Sequence, residues 1–122
     1  MILNFTKKLK FNILIVDDSI DVVDILNQFI INIGYTPLIA YSGQEAIEKI
    51  KKNKVDIILL DMVMPKIDGN ATLKIIKSIQ PDSKVIIITA YHDTEKIMEA
   101  MRSGAEECIF KPFDLNLLKL TI

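Results

Sequence analysis

The sequence lacks most of what would place it in a specialised class. It has one cysteine, Cys108, so no internal disulfide can form, and an unpaired thiol suits a reducing compartment such as the cytoplasm. Its single histidine, His92, leaves too few nitrogen and sulfur ligands for a zinc site. Among only four glycines there is no G-x-x-x-x-G-K-[ST] and no G-x-G-x-x-G, which counts against an NTPase or a dinucleotide enzyme. Charge of either sign is not in excess: 15 basic side chains face 16 acidic ones, for a net charge of -1. A nucleic-acid or anionic-membrane surface is therefore not expected. No apolar run approaches the roughly 20 residues that span a bilayer. Residues 1–10 hold Lys7, Lys8 and Lys10 where a leader would have a small-residue cleavage site.

What is present is one domain's worth of core. The chain has 122 residues, 50% of them hydrophobic and 25% charged. A chain of this size buries roughly two-thirds of its unfolded surface. Apolar, β-branched runs recur at residues 12–16, 36–40, 55–60, 84–89 and 107–110, each too short for a helix. Their apolarity is continuous rather than alternating, as in Ile57-Ile58-Leu59-Leu60, which is the mark of strands buried on both faces of a parallel sheet.

The intervening segments read as helices. Val22, Leu26, Phe29, Ile30 and Ile33 recur at helical spacing before Gly34. Ser42-Gly43-Gln44-Glu45 fits a capping box ahead of Ala46, Ile47 and Ile50. A third helix, 69–79, faces Leu73 and Ile76 inward and stops before Pro81. A fourth, 94–103, carries Ile97, Met98 and Met101 to Gly104, with both methionines expected as core or half-buried packing. A short fifth follows an Asp114 cap, with Leu115, Leu117 and Leu118. Strict alternation of strand and helix gives an α/β, flavodoxin-like doubly wound sheet with helices on both faces. The units fill one domain across 1–122, and the brevity of the last helix leads us to expect the N-terminal part of a longer protein that carries the output.

Ligands of such sheets bind beyond the carboxyl ends of the strands. Those ends carry Asp17 and Asp18 after the first strand, Asp61 after the third, Thr89 at the end of the fourth and Lys111 after the fifth. Taken singly, each Asp also fits the N-cap of a following helix. Taken together, three converging carboxylates repel and raise one another's pKa unless a cation joins them. Mg²⁺ suits a few carboxylates that leave room for water and phosphate oxygens. The set is then one for phosphoryl transfer: Asp61 as nucleophile, a metal, a lysine for developing charge and a hydroxyl donor. If this crowding dominates, removing Asp17 or Asp18 should raise stability without the cation.

Four segments match a known pattern in order: Ile13-Leu14-Ile15-Val16-Asp17-Asp18, Asp61-Met62-Val63-Met64-Pro65-Lys66-Ile67-Asp68-Gly69, Ile88-Thr89-Ala90 and Phe110-Lys111-Pro112-Phe113. From residue 10 onward the chain resembles the receiver domain of two-component response regulators. The resemblance implies the strand order 2-1-3-4-5. It implies that Asp61 accepts a phosphoryl group from a phosphohistidine on a sensor histidine kinase or phosphotransfer protein. Asp18, Asp61 and the Val63 backbone carbonyl would hold Mg²⁺, and Asp17 would do so largely through water. Lys111 would contact the phosphoryl oxygens, Thr89 would swing onto them, and Ala90 would leave room for that movement. The Lys111–Pro112 bond would be cis, and Gly69 would end the loop that sets the third helix. Signalling would use the surface of the fourth and fifth helices and fifth strand, where members often form homodimers. A downstream output domain, and no nucleic acid or membrane contact by this domain, complete the expected partners.

The sequence departs from the family pattern at Cys108, where members usually carry Tyr or Phe as an aromatic switch. A small side chain cannot fill and vacate a ring-sized pocket, and Cys108 reads as a small buried strand residue rather than a redox sensor. Val63 and Tyr91 flank the route of attacking water in this family, and neither offers a carboxamide or acid, so slow self-dephosphorylation is expected. His92 and the cluster of Lys49, Lys51, Lys52 and Lys54 read as solvated. Three other readings compete with this one. A phosphatase resembling the haloacid dehalogenases wants an acid where Val63 stands. A flavin carrier wants a Ser/Thr/Gly-rich loop after the first strand. A non-phosphorylated docking module with the receiver fold is the remaining alternative, kept by Cys108.

Overall fold

The structure, a computed structural model, describes residues 11–64, 68–90, 93–112 and 114–122. The expectations placed on residues 1–10, on Pro65, Lys66 and Ile67, on Tyr91 and His92, and on Phe113 lie outside the described residues. The elements alternate: β1 (Ile13–Val16), α1 (Ile20–Asn32), β2 (Pro37–Ala40), α2 (Gly43–Lys52), β3 (Ile57–Asp61), α3 (Gly69–Ile79), β4 (Lys84–Thr89), α4 (Thr94–Arg102), β5 (Glu107–Phe110) and α5 (Leu115–Thr121). All strand pairs are parallel, and the sheet order is β2-β1-β3-β4-β5. Among the described residues no helix is long and apolar enough to cross a membrane.

The two faces of the sheet explain the continuous apolar runs. Leu14, Val16, Ile58, Leu60, Val85 and Ile87 pack against Ala46 and Ile50 of α2, Leu73 and Ile76 of α3, and Ala100 of α4. Their strand neighbours Ile13, Ile15, Ile57, Leu59, Ile86 and Ile88 pack against Val23, Leu26 and Ile30 of α1 and Leu118 of α5. Every apolar position of β1, β3 and β4 is thus buried by a helix layer on one side or the other.

Local chemistry fixes the ends of the helices. Ser19 caps α1 by accepting from the Val22 N–H, and Asp93 caps α4 by accepting from the N–H groups of Glu95 and Lys96. Ser42 caps α2 through the Glu45 N–H, while the Glu45 carboxylate reaches back to the Tyr41 N–H, one residue before the cap. Gly34 and Gly104 take φ of 101° and 114°, the left-handed conformation that ends a helix without a Cβ clash. Asp114 caps α5 through the Asn116 N–H.

Far from the carboxyl ends of the strands, Gln80 clasps the opposite edge. Its Nε2 donates to the Ile50 and Asn53 carbonyls, both at 2.6 Å, and its Oε1 accepts from the Val55 N–H at 2.7 Å.

The placement of Met98 and Met101 corrects the sequence reading. They are 52% and 41% exposed, and the residue that α4 buries is Ala100. The helix lies over an outer part of the sheet and makes its buried contact through its smallest apolar side chain, which leaves Met98 and Met101 facing outward. In α5 the same holds for Leu115 and Leu117, which are exposed while Leu118 is buried.

Candidate functional site

Parallel register builds the site. Val16 pairs with Leu60 across β1 and β3, so the next residue of each chain, Asp17 and Asp61, emerge side by side. Asp61 pairs with Ile88, which puts Thr89 one step beyond it on β4, and Thr89 pairs with Phe110, which puts Lys111 one step beyond on the β5 side. The Lys111 backbone N–H donates to the Thr89 carbonyl at 2.8 Å, joining the ends of β4 and β5. The Lys111–Pro112 bond is cis.

Carboxylate oxygens of Asp17, Asp18 and Asp61 lie within 4.8 Å of one another, with Asp17 and Asp61 buried and Asp18 exposed. The Lys111 ammonium reaches in from the side, 2.8 Å from Asp17 Oδ2 and 3.6 Å from Asp61 Oδ2. The Val63 N–H donates to Asp61 Oδ1 at 3.3 Å. Burial pushes the Asp61 carboxyl up to about 6, and the negative charge of Asp17 adds to it, with a smaller contribution from Asp18; Lys111 and the Val63 N–H oppose the rise. The lysine is therefore an incomplete counter-charge.

Asp17 also does something that the sequence did not reveal. Its Oδ1 accepts from the Ser19 N–H at 2.9 Å while its Oδ2 holds Lys111, so it stabilises the turn into α1 as well as the site. The N-cap itself is Ser19, and an Asp-Asp-Ser run before a helical pattern was the available signal. Gly69 is required by close approach. A Cβ there would lie 2.7 Å from the Met62 Cα and carbonyl oxygen, so the first turn of α3 rests directly on the chain leaving Asp61.

Thr89 is fully buried and Ala90 next to it is exposed. Thr89 forms one wall of a cavity of about 160 Å³, with Met62, Val63 and Met64 on one side and Lys96 and Ile97 of α4 on the other. Val63 is 46% exposed, open to solvent at the mouth of the site. Cys108 is half-buried on the face of the sheet that α4 covers, and burial pushes its thiol up, away from a reactive thiolate. A wider depression of about 530 Å³ at the opposite edge, near Lys52, Gln80 and Ser83, holds no comparable convergence of carboxylates.

A family model for the response regulator receiver domain matches residues 13–122. The chain belongs to this family. The receiver is 37% identical over 107 residues to sporulation initiation phosphotransferase F of Bacillus subtilis, covering 88% of this chain and 86% of that protein. It is 37% identical over 102 residues to the chemotaxis protein CheY of Thermotoga maritima, covering 83% and 85%. It is 39% identical over 111 residues to the transcriptional regulatory protein ZraR of Escherichia coli, where it covers 91% of this chain but spans only 25% of the relative's length. Among solved structures, a CheY-like receiver domain protein from Methanospirillum hungatei superposes with a TM-score of 0.88 at 29% identity, over 91% of this chain and 89% of that one. The fold and the strand order expected from the resemblance are those observed.

Proposed function

We propose that this receiver takes a phosphoryl group from the phosphohistidine of a sensor histidine kinase, or of a phosphotransfer protein, onto Asp61 in a Mg²⁺-dependent reaction in the cytoplasm. The single observation that carries the reading is the convergence of three carboxylates within 4.8 Å, with an ammonium 3.6 Å from the buried one that ends β3. Hard oxygen donors, crowded together and one of them raised in pKa by burial, fit a small divalent cation. Asp18, Asp61 and the Val63 carbonyl would hold it, with Asp17 contributing through water. When bound, Mg²⁺ supplies charge neutralisation for the phosphoryl oxygens.

The residues of the chain do the rest. An oxygen of Asp61 forms the new O–P bond as the P–N bond breaks, and the electron pair returns to the imidazole nitrogen. Lys111 stands where charge builds on the transferring oxygens, already aimed at Asp61 Oδ2. Thr89 closes onto the phosphoryl group, and its departure from the cavity wall alters the seat of α4. We read the chain as a single receiver domain of 1–122. ZraR extends well beyond the part this receiver matches, whereas the phosphotransferase F relative is nearly all receiver.

Intact mass after incubation with acetyl phosphate and Mg²⁺ tests the reading, alongside Asp61→Asn and an EDTA control. One added phosphoryl group that requires both Asp61 and the metal supports it. No adduct, with Mg²⁺ binding intact, overturns it in favour of a docking module that does not signal by phosphorylation.

A further inference from the structure

Asn70, the second residue of α3, is 2% exposed. Its Nδ2 donates to the Lys96 carbonyl in the first turn of α4 at 3.3 Å, and its Oδ1 has no hydrogen-bond partner among the described residues. That carbonyl already serves its own helix four residues on, so the bond is shared as well as long. An unpaired buried amide oxygen is a standing penalty that a leucine of similar size would not incur.

The rest of the α3–α4 contact is thin. Within α4 only Ala100 is buried, and the Lys74–Glu99 pair spans 3.8 Å with both side chains about half exposed, where an ion pair contributes little. Inside the first turn of α4 lies the cavity of about 160 Å³ whose far wall is Thr89. There is space for that turn to move and little holding it back.

We infer that Asn70 is a positioning residue that keeps the resting seat of α4 only weakly preferred, so that a change at Thr89 shifts the first turn of α4 into the cavity. The inference rests on the phosphorylation reading and deepens it. The contact takes over the readout that an aromatic side chain would give in place of Cys108. A shifted α4 offers the unpaired Oδ1 a donor among the Glu95 and Lys96 N–H groups, which Asp93 Oδ1 now holds at 3.1 and 3.3 Å.

The test compares the whole chain with Asn70→Leu by hydrogen exchange of the α4 amides, first at rest without phosphodonor. Exchange in the leucine variant should be about five- to thirty-fold slower, the scale expected for relieving an unpaired buried polar atom. With acetyl phosphate and Mg²⁺, intact mass should show phosphoryl uptake in both proteins. The change in α4 exchange, clear in the wild type, should be lost or at least halved in the variant. Equal or faster exchange at rest in a folded variant, or an unaltered response to phosphorylation, overturns the inference. If circular dichroism shows that Asn70→Leu does not fold, Asn70→Ala decides. Exchange within about threefold of wild type supports the inference, and exchange more than about tenfold faster makes Asn70 a brace and overturns it. If the wild type takes no phosphoryl group, the phosphorylation reading fails, while the comparison at rest still decides the role of Asn70.

Discussion

Replacing Asp61 by asparagine should stabilise the metal-free protein at neutral pH, although it removes the proposed phosphoacceptor. Burial and the charge of Asp17 lift the Asp61 carboxyl from 3.8 to about 6. The folded state therefore binds the proton more tightly than the unfolded chain does. Between about pH 4 and pH 6 stability falls as pH rises, and above that window the penalty is present in full. A shift of about two pKa units corresponds to roughly 3 kcal/mol, and discounting for solvent at the mouth of the site leaves about 1–3 kcal/mol. Asparagine keeps the shape without the charge. In EDTA at pH 7.5 the variant should show a higher urea midpoint at unchanged slope, and a melting temperature higher by roughly 4–8 °C per kcal/mol. The two proteins should converge near pH 4, where the wild-type carboxyl is protonated as well. Added Mg²⁺ should close the gap at neutral pH, because a ligand bound only by the folded wild type stabilises it by mass action. A metal-free gap that is absent, reversed or flat from pH 4 to 7 would refute the reasoning.

Other perturbations separate the parts of the site. Lys111→Met leaves the buried Asp17 without its 2.8 Å counter-charge, and should cost about 2–4 kcal/mol in urea unfolding at neutral pH. Asp18→Ala, which removes an exposed charge, should raise metal-free stability and weaken Mg²⁺ affinity in a calorimetric titration. Asp17→Ala should instead lower stability, since the carboxylate also holds Lys111 and the Ser19 N–H. Gly69→Ala forces a Cβ to 2.7 Å from the Met62 backbone. It should cost about 1–3 kcal/mol and slow phosphoryl uptake, seen as a lower melting temperature together with a lower initial rate of mass gain. Val63→Asn gives attacking water a carboxamide at the open mouth of the site. It should shorten the lifetime of the phosphorylated form about tenfold, the effect of one hydrogen bond in the transition state.

The central elements of the fold were legible because β1, β3 and β4 are buried on both sides, and burial on both sides leaves an unbroken apolar run. The five polar residues at the strand ends were legible for a related reason: parallel register converts position after a strand into position in space. The placement of α4 was not. Periodicity reports which residues share a helix face, but the face that meets the sheet here is centred on Ala100, which adds little to a hydrophobic pattern, while Met98 and Met101 add much and face outward. The second role of Asp17 is local, an acceptor for the Ser19 N–H two residues on, and it was hidden because an Asp after a strand fits a metal ligand and a turn alike. Asn70 was invisible for another reason: among the described residues, the partner of its side chain lies on another helix, 26 residues away.

Gln80 makes the two rims of the sheet mechanically unlike. One side chain there ties the end of α2, the approach to β3 and the end of α3 with three bonds of 2.6–2.7 Å. At the other rim lie three carboxylates, charges that repel. Strain introduced by the proposed covalent change at Asp61 would meet a stiff floor beneath it, so displacement would be channelled sideways toward α4 rather than lost through the sheet.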